Sequence, residues 1–210
     1  MPGTMSQADL IADLKGILND AQDKFKAADD ADFIRHLDVA ARDMGRVRRR
    51  TRIGTIVLVA DQPNYAAPAD ILFPKYPIWG LQQRNNRKPW QSNYPGRAPT
   101  MQLIDGESSE EIYLQPAPSA AAITDLGSEF KYYYFAFHTI GDAAEDTTIK
   151  LADRDLLLLR ATAQAMTELA HHNVTKPIKM GGQGIGLMPK NGTPSALAKD
   201  LMDLFERMAA

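Results

Sequence analysis

Nine of the chain's 13 prolines fall between Pro63 and Pro118. A proline inside a helix removes a backbone donor and clashes with the turn before it, so this stretch must be built of strands and loops. The flanking segments have the opposite signature. Leu10, Leu14, Ile17, Leu18, Ala21 and Phe25 recur at three- and four-residue steps behind Ser6, a helix-capping residue with Asp9 in the first turn. Phe33, Leu37, Ala40, Ala41 and Met44 form a second stripe over residues 32–44, with Gly45 placed to end it. Leu158, Ala161, Ala165 and Leu169 mark a long helix over 156–173, with Asp153 as its cap. Thr193-Pro194 opens a last helix striped with Leu197, Leu201, Leu204, Phe205 and Met208.

Between these helices the period changes to two. Residues 51–60 (TRIGTIVLVA) are rich in β-branched side chains, residues 101–104 and 111–115 read as a hairpin around Asp105-Gly106, and residues 130–140 (FKYYYFAFHTI) form an aromatic strand. The predicted class is α+β: a small helical bundle of two N-terminal helices and a long later helix, with a β-rich insertion and a C-terminal loop–helix tail. The expected boundaries are 1–50 for the first helices, 51–150 for the insertion, 151–173 for the long helix and 174–210 for the tail, all in one folded domain.

Composition narrows the chemistry. Cysteine is absent, which removes disulfides, thiolate metal sites and cysteine nucleophiles. No apolar run approaches the roughly 18–20 residues needed to cross a bilayer. Met1-Pro2-Gly3-Thr4 has neither a basic n-region nor an apolar h-region, so a soluble protein made in the cytoplasm is expected. His171 and His172 are adjacent on a helix and diverge by about 100°, where a metal pair needs spacing of three or four. His36 and His138 sit in a helix and a strand as structural residues. Gly181-Gly182-Gln183-Gly184-Ile185-Gly186 follows a helix rather than a strand and lacks a Gly-Lys-Ser/Thr ending, so it reads as a tether rather than a phosphate cradle. The pairs Glu110-Glu111 and Asp153/Asp155 show no sign of converging on a cleft, and no serine lies in a G-x-S-x-G elbow. No enzymatic signature emerges, and no cofactor or metal is expected.

Charge is segregated along the chain although the total is −2. Residues 45–97 hold ten bases and two acids, and residues 98–155 hold eleven acids and three bases. Such blocks meet between copies of a chain or neutralise each other within one fold. The sharpest cluster is Arg46, Arg48, Arg49, Arg50 and Arg52. Two readings stand: contact with DNA phosphates or an acidic partner, or pairing with the acidic segment of the same fold. Any DNA contact would be backbone electrostatics without base readout. The loop over residues 82–99 carries Arg84, Arg87, Lys88, Trp90, Tyr94 and Arg97 and no acid. Its length and its aromatic and arginine content favour a docking loop for a neighbouring protein.

The order of these segments resembles the head-to-tail connector (adaptor, or head-completion) proteins of tailed bacteriophages. After the two helices come the strand Thr55-Ile-Val-Leu-Val-Ala60 and the run Asp61-Gln62-Pro63-Asn64-Tyr65-Ala66-Ala67-Pro68-Ala69-Asp70, similar to that family's Tyr-x-x-Pro-x-Asp stretch. Glu111-Ile-Tyr-Leu-Gln-Pro116, the aromatic Lys131-Tyr132-Tyr133-Tyr134, then Asp146-Thr-Thr-Ile-Lys-Leu151 and the Leu/Ala helix follow in the family's order. The resemblance spans about residues 6–173, and its departures are the long loop near Trp90 and the glycine-rich tail.

That resemblance implies a structural virion protein: a ring, commonly of twelve copies, docked beneath the portal at the head–tail junction. The ring would extend the channel for genomic DNA and offer a platform to the next neck or tail protein. It implies no cofactor, no membrane partner and manufacture in the host cytoplasm. The tail would then dock on the portal through Ile185, Leu187, Leu197, Leu201, Leu204 and Phe205. Two other classes are weighed beside it: a tail-terminator or other neck or tail protein, which would rest on a β-sandwich core, and an enzyme of unrecognised type using His138.

Overall fold

The structure is a computed structural model that describes residues 4–174 and 193–209. In chain order its elements are α1 (Gln7–Leu18), α2 (Ala31–Val47), β1 (Arg50–Val57), β2 (Asn64–Ala66), β3 (Ile71–Pro77), α3 (Leu81–Asn86), β4 (Thr100–Asp105), β5 (Glu110–Gln115), α4 (Ala120–Leu126), β6 (Glu129–Ala136), α5 (Arg154–Val174) and α6 (Pro194–Ala209). The fold is the expected α+β class. The chain divides into two compact units, residues 1–48 with 138–210, and residues 49–137.

The first unit is helical. Ser6 caps α1 by accepting a hydrogen bond from the Asp9 amide at 3.3 Å, and Leu10, Leu14 and Leu18 are buried along its inner face. The helix stops sooner than its stripe predicts. Asn19 turns to a positive φ of 47°, which asparagine tolerates, and Asn19–Lys24 continue as a 3₁₀ segment. Phe25 therefore reaches the core from outside α1, where its ring meets Phe33 edge-on at 5.6 Å and His36 at 4.9 Å. In α2 the predicted stripe is buried, but Gly45 does not end the helix. It is a buried interior position, and α2 closes at Arg48, whose amide bonds to the Met44 carbonyl. Gly45 sits one turn from the end, just after the buried Ala40, Ala41 and Met44, whose packing in the core holds the helix past a residue that would otherwise release it.

Helix α5 is the axis of this unit. Leu157, Ala161 and Ala165 are fully buried on it, and the small alanines let α2 and α6 approach closely. Asp153 lies in a 3₁₀ turn (Leu151–Asp153) leading into α5. Thr193 caps α6 as expected, accepting from the Ala196 amide at 3.3 Å. Ala198, Phe205 and Ala209 bury α6 in the same core as α5.

The second unit holds two three-stranded antiparallel sheets, ordered β1-β6-β3 and β2-β5-β4. Their inner faces share one core, with Ile56, Ile71, Phe130, Tyr132 and Tyr134 from the first sheet and Tyr65, Ile112 and Leu114 from the second. The aromatic segment supplies β6, the central strand, and leaves the sheet at Ala136 instead of residue 140. Residues 138–150, expected within the insertion, belong to the helical unit. Pro74 and Pro77 lie on β3, an edge strand, and the register slips between Ile71 and Phe73 and again between Pro74 and Tyr76. A proline cannot donate to the ladder, so it is tolerated at an edge and at such slips.

Candidate assembly surfaces

The five clustered arginines take different partners. Arg46 is 81% exposed at the side chain and lies 3.4 Å from Asp43. Arg48 turns inward on the helical unit. It pairs with Asp153 at 3.3 Å and donates to the carbonyls of Ala209 and Met208 at 3.2 and 3.4 Å, a cation set against the C-terminal end of α6. His138 fixes the same corner by donating from Nε2 to the Arg48 carbonyl at 2.7 Å.

Arg50 and Arg52 converge on Asp70. Arg52 donates to its Oδ2 at 2.5 Å, Arg50 stands 3.9 Å away, and the Tyr134 hydroxyl donates to Oδ1 at 2.9 Å. Burial pushes the Asp70 carboxyl upward, but the hydrogen bonds from Arg52 and Tyr134 and the charges of both arginines outweigh it and hold the pKa below the ordinary carboxylate range. Burial likewise raises Tyr134, helped by its hydrogen bond to Asp70. Tyr65 has a similar architectural part, its hydroxyl both accepting from the Val59 amide and donating to the Val59 carbonyl at 3.1 Å. The two polar residues of the Tyr-x-x-Pro-x-Asp stretch thus close a turn and tie β1 and β6 to the segment before β3.

Arg49 is exposed and forms no ion pair among the described residues. Its guanidinium lies over the rings of Phe73 (5.7 Å) and Phe135 (5.3 Å), and Lys75 lies over Phe135 (4.9 Å) and Tyr76 (5.7 Å). Each such stack contributes about 0.5–1 kcal/mol at an exposed site. The rings form two cross-strand pairs, Phe73 with Phe135 and Tyr76 with Tyr133. Ile53 and Val57 on β1 extend this face, exposed at 58% and 69%. Sequence reading missed it, although the signal was present: in Phe130-Lys131-Tyr132-Tyr133-Tyr134-Phe135 both alternating sets carry aromatic rings, where a strand solvated on one side would show polar residues.

The basic-aromatic loop is more ordered than its composition suggests. Gly80 adopts φ +64°, a conformation glycine reaches without strain, and starts the short helix α3. Arg84 donates to the carbonyls of Trp79 and, at 2.8 Å, Gly96, which ties the two ends of the loop together. Burial lowers its pKa, with a smaller opposing effect from Tyr94. Arg87 donates to the Asn93 carbonyl at 2.8 Å and grips the Asp125 carboxylate with both terminal nitrogens. Tyr94 is half-buried. Lys88, Trp90 and Arg97 stay exposed, Trp90 at 81%. The loop therefore divides into two internal clamps and an outward set.

Of the tail residues, Ile185 and Leu187 lie outside the described residues. Phe205 is buried in the helical core and Leu201 is half-buried against it, whereas Leu197 and Leu204 are exposed at 40% and 38%. A further cluster, unforeseen in the sequence, joins α2 to α5. The fully buried His36 donates from Nε2 to Glu168 at 2.8 Å, and Arg35 reaches the same carboxylate at 2.7 Å. Burial raises the Glu168 pKa less than these two partners lower it. Only the fold brings residues 36 and 168 together. Among the described residues no group of three His, Asp or Glu side chains is placed to hold a metal ion, and no helix is long and apolar enough to cross a membrane.

A family model described as SU10 adaptor protein matches residues 5–175, which run from the start of the helical unit through the β unit to the end of α5. No curated protein matches the chain.

Proposed function

The chain belongs to the SU10 adaptor protein family, a phage head–tail adaptor family, and from that premise we propose that its copies form a ring beneath the portal of a filled head. The protein is a structural component of the virion. In this reading the ring continues the channel through which the genome passes and presents a platform for the next neck or tail protein. The match over residues 5–175 carries the proposal, because it spans the whole β unit and most of the helical unit.

Three exposed elements support the assignment of partners. Trp90 and its cationic neighbours Lys88 and Arg97 stand on a loop held by internal arginine clamps. A side chain already ordered in the free protein loses less entropy on docking, so this loop is assigned to a neighbouring neck or tail protein. Helix α6 lies beyond the matched residues and shows Leu197 and Leu204 outward. That stripe, with Ile185 and Leu187 of the preceding segment, is assigned to the portal. Arg46, 81% exposed at the side chain, is assigned to the DNA channel or the portal-facing rim. Arg48, Arg50 and Arg52 are bound within their own units.

Deleting the gene from the phage that carries it tests the reading. Heads that fill, lack tails and lose DNA are expected in electron micrographs. Intact tailed virions without this protein would overturn it. A chain truncated near Val174 separates the tail's part, since it should give the same tailless heads if the tail reaches the portal.

A further inference from the structure

The β unit presents two exposed surfaces of different character. On the sheet β1-β6-β3, Arg49 and Lys75 are exposed and have no carboxylate partner among the described residues. They lie over an apolar ground of Phe73, Tyr76, Phe135 and Ile53. On the sheet β2-β5-β4, Glu111 stands on the outer side, and the β4–β5 hairpin ends in exposed Asp105, Glu107 and Glu110, which form no ion pair among the described residues. No lysine or arginine occurs between Arg97 and Lys131 to neutralise them.

Asp105 and Glu110 are register partners in phase with the inward-facing Leu103 and Ile112, so with Glu107 they stand at the tip of the hairpin, beyond the shared core, while Arg49 and Lys75 stand on the outer face of the other sheet. Neither the hairpin acids nor Arg49 and Lys75 form an ion pair among the described residues, so both charge sets are free to meet another surface. They are satisfied when the basic face of one copy meets the acidic side of the next. Contacts of this head-to-tail kind use two different patches per copy, and they close into a ring when the rotation between copies allows.

We infer that the aromatic-cationic face around Arg49 and Lys75 docks on the acidic β4–β5 hairpin side of a second copy of this chain, an inference that rests on the ring reading above. The aromatic rings supply the buried area and the charges set the register and exclude face-to-face pairing. A DNA backbone would use the two cations but would leave the apolar ground and the hairpin carboxylates unpartnered, so a protein surface is the better fit.

The test uses the full chain supplied to phage that lack the gene, with the protein's incorporation into particles as the readout. One variant carries Arg49→Glu with Lys75→Glu, the other Glu107→Lys with Glu110→Lys. All four positions are exposed, and circular dichroism of the purified variants checks that they fold. Like charges at such a contact are expected to lower incorporation of either variant alone by more than about tenfold. Supplying both together should restore it, because the acidic face of one copy then meets the basic hairpin of the other. Wild-type incorporation of either folded variant alone, or no recovery from the mixture, overturns the inference. Loss for the first variant only points to DNA as the partner and likewise overturns it. If the wild-type chain itself is absent from particles, the adaptor reading fails instead.

Discussion

Gly54 on β1 faces Tyr132 on β6 so closely that a side chain at 54 would occupy the place of the ring. A Cβ built there lies 2.7 Å from Cε1 of Tyr132, and the two residues are register partners. Gly54→Ala should therefore force Tyr132 out of its position, with a destabilisation of about 1–3 kcal/mol from overpacking. Urea unfolding of the two proteins measures it. An unchanged midpoint would show that the ring shifts freely.

The same ring carries an alkaline prediction. Burial, with smaller contributions from Tyr134 and Asp70, pushes the Tyr132 hydroxyl up to about 12. A raised folded pKa means that stability is fully present below the unfolded value of about 10 and is lost as pH rises through the folded one. Ultraviolet titration of the tyrosines should show a late step near that value, removed by Tyr132→Phe. A late step that survives the substitution assigns it elsewhere.

Asp70 predicts the acid side. Its folded pKa is depressed, so its contribution is present above the unfolded value of about 3.9 and is lost as pH falls through the folded value. Asp70→Asn should destabilise at neutral pH, where the arginines lose their counter-charge, and should flatten the dependence of stability on pH below about 4. Chemical unfolding at several acidic pH values compares the two. Parallel curves would mean that other carboxylates govern acid unfolding.

Trp90 and Trp79, the chain's two tryptophans, separate docking from stability. Trp79 is buried and donates from Nε1 to the Gly127 carbonyl at 2.9 Å, while Trp90 is exposed. Trp90→Ala is expected to leave the melting temperature within about 1 °C, since exposed positions without partners contribute little, yet to impair attachment of the neighbouring protein. Acrylamide should quench the Trp90 emission in the free chain and lose access to it in assembled particles. Equal quenching in both states would remove the loop from the interface.

On α6 the same division is testable within one helix. Phe205→Ala empties a buried site and should cost about 3–5 kcal/mol, whereas Leu204→Ser should spare stability and reduce assembly on the portal. Thermal melts and particle yields distinguish the two. Normal particles from Leu204→Ser would remove this stripe from the portal contact.

Much of the frame was legible because its signals are local. Helical stripes, a Ser6 cap, a Thr193-Pro194 start and a proline-dense β segment depend on residues a few positions apart. The misplaced boundaries have two causes: Gly45 stays helical because α2 is held in the core, and α1 ends early because Asn19 turns. The arginine cluster shows the opposite case. Five similar residues in seven positions have different partners, namely Asp43, Asp153, two aromatic rings and Asp70, because each partner is chosen by which strand or helix lies beside it.

The sequence by itself thus determined the class of fold, the order of its parts and the family, since periodicity, proline chemistry and motif order are properties of the chain read in line. The tertiary structure alone decided which charges are paired and which face outward. Ion pairs and ring stacks act over a few ångströms, and only folding brings Arg52 to Asp70, Glu168 to His36, or Arg49 to the ring of Phe135.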